Sequence, residues 1–359
     1  MPELTWRERA FRILVGAAAV IVVVAGMRAA APLLVQVLLA TLLATLSAGP
    51  TAALKRHGLP TGLAVLLVIA GMVAAGVVVG SLIGTSLAEF TRNIPTYEAR
   101  LDAQLATALS WLGERGMDVP EGGIANLFDA NAMLTAIGQI MIGLRGLVTN
   151  GAVILLLVVF MLLEASTFPG KLRAAWGPKS SALTGFERFS DSVKRYLMIK
   201  SVMSAATGIS VTLLLLATGV DFPILWGFLA FFLNFIPNIG SVIAAIPPVF
   251  LALVQFGLGR ALVVAVGFLV VNVSWSNLIE PRVMGRGVGL SPLVIFLSLI
   301  FWAWVLGPVG MVLSVPLTMI LKIAFESSPH TQRLAILLGP RVAPDAIVPP
   351  PQGAEQGAS

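Results

Sequence analysis

The chain has 359 residues, of which 57% are hydrophobic and only 11% charged, with a formal net charge of +6 and a mean hydropathy of +0.95. A soluble surface usually carries roughly 25% charged residues, so most of this surface must face lipid, and the small positive excess gives no reason to expect a nucleic-acid partner. With no cysteine in the chain, disulfides, thiolate metal sites and thiol catalysis are excluded.

Apolar runs at 13–27, 31–48, 60–88, 147–163, 201–220, 223–256, 261–279 and 291–323 predict an all-α polytopic membrane protein with about seven or eight transmembrane segments. Arg7, Arg9 and Arg12 precede the first run in the manner of a signal peptide. No small-residue cleavage site follows, and Arg28 leads at once into another apolar run, so the segment reads as a retained first helix. With 31–48 it is expected to form a helical hairpin broken near Pro32.

Lysine and arginine set the orientation. Lys55 and Arg56 follow the second run. The segment 164–200 carries Lys171, Arg173, Lys179, Arg188, Lys194, Arg195 and Lys200 against Glu164, Glu187 and Asp191. These segments and both chain ends are expected on the cytoplasmic side of a bacterial inner membrane. The stretch 89–145 is acidic instead, with Glu89, Glu98, Asp102, Glu114, Asp118, Glu121 and Asp129 against Arg92, Arg100, Arg115 and Arg145, and is expected outside. After Pro95, apolar Tyr97, Leu101, Leu105, Leu109 and Leu112 recur at helical spacing and stop at Gly113 and Gly116, which predicts an amphipathic helix. A second helix is expected from near Asp129 into the fourth crossing. On the cytoplasmic side, Leu183, Phe186, Phe189, Val193 and Leu197 mark another amphipathic helix, suited to the membrane interface or to packing on its neighbours. Residues 343–359, rich in Pro, Gly and Ala, read as a disordered tail.

Five parts follow: amino-terminal membrane helices (1–88), an outer helical insertion (89–146), a crossing with a cytoplasmic amphipathic helix (147–200), a carboxy-terminal transport core (201–325) and a cytoplasmic tail (326–359).

Catalytic equipment is sparse. The sequence contains no GxxxxGK[ST], HExxH or GxSxG string, and its two histidines, His57 and His330, fall in polar connectors. An enzyme, a cofactor or a metal centre is therefore not expected.

The last third is the informative part. From Phe222 to Phe256 it reads FPILWGFLAFFLNFIPNIGSVIAAIPPVFLALVQF, an apolar stretch broken at its centre by Asn234, Pro237, Asn238, Gly240 and Ser241. Amides and irregular backbone survive at membrane depth only where protein buries them or a wet cavity solvates them. Two half-helices meeting there, as a re-entrant hairpin or a broken helix, would present free backbone groups to a solute. The plainer alternative is a tight turn between ordinary helices, capped by the asparagines. From Ser291 the chain reads SPLVIFLSLIFWAWVLGPVGMVLSVPLTMILKI, broken at Gly307, Pro308 and Gly310. If both stretches are re-entrant, they would enter from opposite sides as an inverted repeat with the path between them.

Between them lie Asn272, Ser274, Ser276, Asn277 and Glu280, then Pro281, Arg282, Gly285, Arg286, Gly287 and Gly289. On a helix Asn272 and Ser276 share a face, and Glu280 extends the Asn277 side. Glu280 is the candidate for proton or cation coupling. The alternative is that it caps the helix or pairs with Arg282 or Arg286 at the cytoplasmic interface.

The strings LWGFLAFFLNFIPNIGSVIAAIPP and NLIEPRVMGRGVGLSPLVIFLSLIFWAWVLGPVGMVLSVPLT resemble the autoinducer-2 exporter family, also called PerM-like permeases, and the likeness extends over essentially the whole chain. The family's FIPxxGxxI…PP element falls on Phe235, Ile236, Pro237, Gly240, Ile243, Pro247 and Pro248. Its N…P…MG…LxP element falls on Asn277, Pro281, Met284, Gly285, Leu290 and Pro292, and its GPxGM…xPLT element on Gly307, Pro308, Gly310, Met311, Pro316, Leu317 and Thr318. The sequence departs from the family where many members place a glutamate just before the second element's asparagine. Trp275 and Ser276 stand here, and the acid comes later at Glu280.

The resemblance implies a transporter for a small molecule or an ion. Members are associated with signal-molecule export and with sodium–proton antiport. The leading expectation is a secondary exporter or facilitator of a small polar metabolite. Its rivals are a cation–proton antiporter using Glu280 and a non-transporting membrane scaffold. Partners expected are the substrate, membrane lipids and a second copy of the chain, since Gly71, Ala75 and Gly80 permit close helix approach.

Overall fold

A computed structural model describes residues 6–115, 135, 138–139, 151–165, 167–177, 181–237, 239–284, 289–326 and 331–339, and every regular element among them is helical. The chain is a polytopic α-helical membrane protein.

Helix α1 (Trp6–Ala29) and α2 (Ala31–Arg56) are separated by Ala30 alone. Pro32 sits in the first turn of α2, where a backbone donor would have no helical partner anyway. Helix α3 (Thr61–Gly113) is continuous through Pro95. The amphipathic stretch expected after that proline therefore belongs to the same helix, which at 1.5 Å per residue is about 80 Å long against about 30 Å of hydrocarbon. It continues because its next face is buried: Tyr97 and Leu101 join the apolar cluster made by the hairpin that follows. The helix expected from Asp129 lies outside the described residues, apart from helical Thr135, Gly138 and Gln139.

After α4 (Gly151–Glu164) and α5 (Phe168–Trp176), the amphipathic segment expected over 183–197 and the apolar run after it form one helix, α6 (Ser181–Thr218). Two helical hairpins follow. The first pairs α7 (Pro223–Leu233) with α8 (Gly240–Phe256). Helix α9 (Leu258–Met284) leads to the second, in which α10 (Pro292–Leu306) and the short α11 (Pro308–Val312) turn into α12 (Ser314–Glu326). Helix α13 (Gln332–Leu338) ends the described chain.

Among the described residues, five helical stretches are long and apolar enough to cross a membrane: 31–56, 61–104, 190–218, 258–284 and 308–326. Helix α7, with 11 residues, is only about 16 Å long and cannot cross alone. On α9, Leu262, Val263, Val266, Leu269 and Val270 share one exposed helical face, as lipid-covered side chains do.

Both hairpins are closed at their mouths by a polar contact. In the first, the backbone N–H of Asp221 donates to Gln255 Oε1 at 3.3 Å. In the second, Lys322 Nζ donates to the Gly289 carbonyl at 2.7 Å. The first mouth is held from outside the hairpin as well. Tyr97 donates to Asp221 Oδ2 at 2.8 Å, and Gln104 Nε2 donates to the Val254 carbonyl at 3.0 Å. Phe222, with φ of 60°, occupies the left-handed region at this mouth, a conformation a bulky side chain rarely adopts, and packs edge-on to Phe90.

Asp221, at the first mouth, follows the last turn of α6, whereas Leu290, at the second, shares an apolar cluster with Val193, Tyr196 and Leu197 from earlier in that helix. That cluster also contains both tips: Phe235, Ile236 and Ile239 from the first hairpin, and Val309, Val312 and Leu313 from the second. Hydrophobic burial drives little helix association in lipid, where close packing dominates. At the crossing of α6 with α7, Gly208 and Gly227 let the backbones touch: a Cβ on Gly208 would stand 2.7 Å from the Gly227 carbonyl oxygen.

Candidate transport site

Helix α7 ends at Leu233, and the next residues turn on short-range bonds. The Ile236 N–H donates to the Leu233 carbonyl at 2.8 Å, and the Ile239 N–H to the Pro237 carbonyl at 2.7 Å. Gly240 then opens α8 so close to the preceding helix end that a Cβ there would collide with the Leu233 carbonyl. The second tip repeats the device. A Cβ on Gly310 would collide with the Trp302 carbonyl, and Gly307, with φ of 70°, makes the turn that releases the chain from α10.

The first tip aims one amide into the protein. Asn234 is 4% exposed; its Nδ2 donates to Ser204 Oγ on α6 at 3.0 Å, and its Oδ1 accepts from Ser276 Oγ on α9 at 3.2 Å. One residue earlier on α9, Trp275 Nε1 donates to Ser210 Oγ at 3.0 Å. At one end of this seam, Lys200 Nζ donates to both carboxylate oxygens of Glu280, at 2.8 and 3.0 Å. Both side chains are largely buried. The seam thus runs from Lys200 and Glu280 through Ser204, Asn234 and Ser276 to Ser210 and Trp275, between α6, the first tip and α9.

Local backbone explains why α9 can present so many polar groups here. Residues Val273–Ile279 form a π-helix, and the Glu280 N–H bonds the Trp275 carbonyl five residues back. A π-turn packs extra residues into each turn and is frequent at functional sites. The wider turn also alters the faces expected from α-helical spacing. Ser276 and Glu280 face α6 and the tip, while Asn277 is exposed. Asn272, one turn before Ser276, is half-buried, with its side-chain oxygen buried and unpartnered in the protein.

Of the residues singled out from sequence, Asn234 and Glu280 belong to this seam, and Asn272 lies at its edge. Pro237 and Gly240 shape the tip, and Ser241 is half-buried in the first turn of α8. Asn238 lies outside the described residues, as do Gly285 and Arg286. Gly307, Pro308 and Gly310 shape the second tip, whose neighbours join the apolar cluster around Phe235 and Ile236. Glu280 pairs with Lys200 and not with the exposed Arg282.

Lys200 and Ser204 were not evident as site residues. Counted with the cytoplasmic cations by its position in sequence, Lys200 is 6% exposed inside the protein. A signal did exist: Lys200, Ser204 and Gly208 recur every four residues at the head of an otherwise uncharged run, a polar stripe on one helical face.

Residues 17–330 match the AI-2E family transporter. The chain is 40% identical over 318 residues to the AI-2 transport protein TqsA of Escherichia coli (strain K12), a match covering 89% of this chain and 92% of that protein. It is 40% identical over 334 residues to a Haemophilus influenzae protein named "Putative transport protein", covering 91% and 96% respectively. To "Putative transport protein YhhT" of Escherichia coli (strain K12) it is 36% identical over 328 residues, covering 91% and 94%. The chain is a membrane transporter and belongs to the AI-2E transporter family.

Proposed function

We propose that this transporter is a secondary carrier that moves a small polar solute, a signal molecule or metabolite, across the bacterial inner membrane without hydrolysing ATP. The observation that carries this reading is the buried polar seam through Asn234, which joins the first hairpin tip to α6 and α9. Polar side chains in a membrane interior are costly and gather where polar cargo passes. Two broken hairpins whose tips meet in one apolar cluster support an inverted arrangement in which the tips divide the route. The printed name of the Escherichia coli relative assigns AI-2 to that protein, which supports a small organic cargo here. Basic residues around 164–200 support a cytoplasmic location for both chain ends.

One observation favours a second reading, cation–proton exchange: the seam contains a buried carboxylate, Glu280. A single preparation separates the two. Purified protein in nucleotide-free liposomes is expected to carry at least one member of a panel of small signalling sugars and metabolites, with no pH change on adding sodium. Dissipation of an imposed pH gradient by sodium, abolished in Glu280→Gln, would assign exchange instead. Absence of flux for every solute and ion would overturn both readings.

A further inference from the structure

We infer that Asn272 is a recognition residue of this transporter, whose side-chain oxygen accepts a hydrogen bond from an O–H or N–H group of the passing solute. The inference rests on the reading of the polar seam as the route.

Helical spacing places the side chain. Ala261, Val264 and Phe268 of α9 are buried at intervals of three and four residues, and they enter the apolar cluster of the first hairpin together with Val211 and Leu215 of α6. Asn272 is the next position on that face, one turn beyond Phe268, whereas Leu269 and Val270 are exposed. An apolar residue would continue the packing at this place, and the chain puts a carboxamide there.

The other polar groups of the seam hold one another. Lys200 and Glu280 form an ion pair, both ends of the Asn234 amide are bonded, to Ser204 and to Ser276, and Trp275 donates to Ser210. Thr207 and Thr212, on either side of Ser210 in α6, turn their hydroxyls onto the Met203 and Gly208 carbonyls of their own helix. Asn272 Oδ1 is buried without a donor among the described residues.

Ser201 Oγ and Gln255 Nε2 are also buried without a partner among those residues, but neither is comparable. A serine hydroxyl on a helix rotates readily onto the carbonyl four residues back. The Gln255 amide is tied at its other end to the Asp221 N–H, at the hairpin mouth and outside the seam. Only Asn272 combines an unpaired acceptor with a place beside the seam.

A buried acceptor with no donor destabilises the resting protein, which points to a partner that comes and goes. A solute with a hydroxyl or amine supplies the donor as it passes. One without such a group leaves the oxygen unpaired and is disfavoured, so the same atom discriminates between solutes.

Asn272→Leu replaces the amide by an apolar group with the same number and branching of heavy atoms. It is expected to raise the unfolding temperature in detergent by at least about 2 °C, because an unpaired acceptor leaves a buried face. In liposomes, the panel of small signalling sugars and metabolites supplies the probes. For those that the natural protein carries, the same change is expected to raise KM at least about five-fold while maximal flux changes less than about two-fold. An unfolding temperature that is unchanged or lower in both Asn272→Leu and the smaller Asn272→Val would show that the amide has a partner in the resting protein, which overturns the inference. An unchanged KM in a stabilised Asn272→Leu also overturns it, and leaves the seam intact where Asn234→Leu lowers flux. A natural protein that carries no member of the panel overturns the seam reading and this inference with it.

Discussion

Glu280→Gln is expected to lower the stability of the folded protein by about 3–5 kcal/mol, because it leaves the Lys200 ammonium buried without its counter-charge. Lys200 Nζ now reaches both carboxylate oxygens at 2.8 and 3.0 Å, and glutamine returns only one neutral acceptor. Lys200→Met should cost a similar amount by stranding the carboxylate. The double change, Lys200→Met with Glu280→Gln, should recover most of the loss, since replacing both members of a buried pair is often close to neutral. Thermal unfolding in detergent, followed through the chain's seven tryptophans, measures all three. Additive losses in the double variant would mean that the two residues do not hold each other.

Gly240→Ala and Gly310→Ala are each expected to cost about 3 kcal/mol and to remove most transport. The reason is steric and the same at both tips. At Gly240 a Cβ collides with the Leu233 carbonyl and meets Ile236 Cβ at 3.1 Å; at Gly310 it collides with the Trp302 carbonyl and meets Leu306 Cβ at 2.8 Å. The obstruction at each site is backbone, which cannot swing aside as a flexible side chain can. Gly71→Ala is the control, because a Cβ there meets nothing within 4 Å. Unfolding temperature and solute flux, measured on the same preparations, should separate the two tip variants from this control. Equal behaviour of all three would show that tight turns at the tips are unnecessary.

The two hairpins were legible in the sequence because proline and glycine interrupt long apolar runs at Pro237–Gly240 and Gly307–Gly310, and interruptions of that kind need a structural solution inside a membrane. Helix continuity was harder to read. Pro95 looks like a boundary, yet α3 passes through it because Tyr97 and Leu101 gain a buried face against the first hairpin. Tertiary burial of the following turn outweighs one lost backbone donor. The candidate site was legible in part. Asn234 and Glu280 stand out as polar residues in apolar surroundings, but their partners on α6 lie 30 and 80 residues away in sequence. Net charge by segment places Lys200 with the solvated cations, whereas its burial depends on where α9 ends. Asn277 shows the opposite error of periodicity: an α-helical count keeps it near Glu280, but the π-turn leaves it exposed.

The seam as a route is tested most directly by solute flux through purified Asn234→Leu in liposomes, beside Leu269→Ala on the exposed face of α9. Leucine keeps the number and branching of the side-chain heavy atoms at the tip but removes both hydrogen bonds, to Ser204 and from Ser276. Flux is expected to fall at least about ten-fold in Asn234→Leu, the equivalent of about 1.4 kcal/mol, and to stay at the natural level in Leu269→Ala. Natural flux through Asn234→Leu would place the solute elsewhere in the protein and contradict the route drawn here.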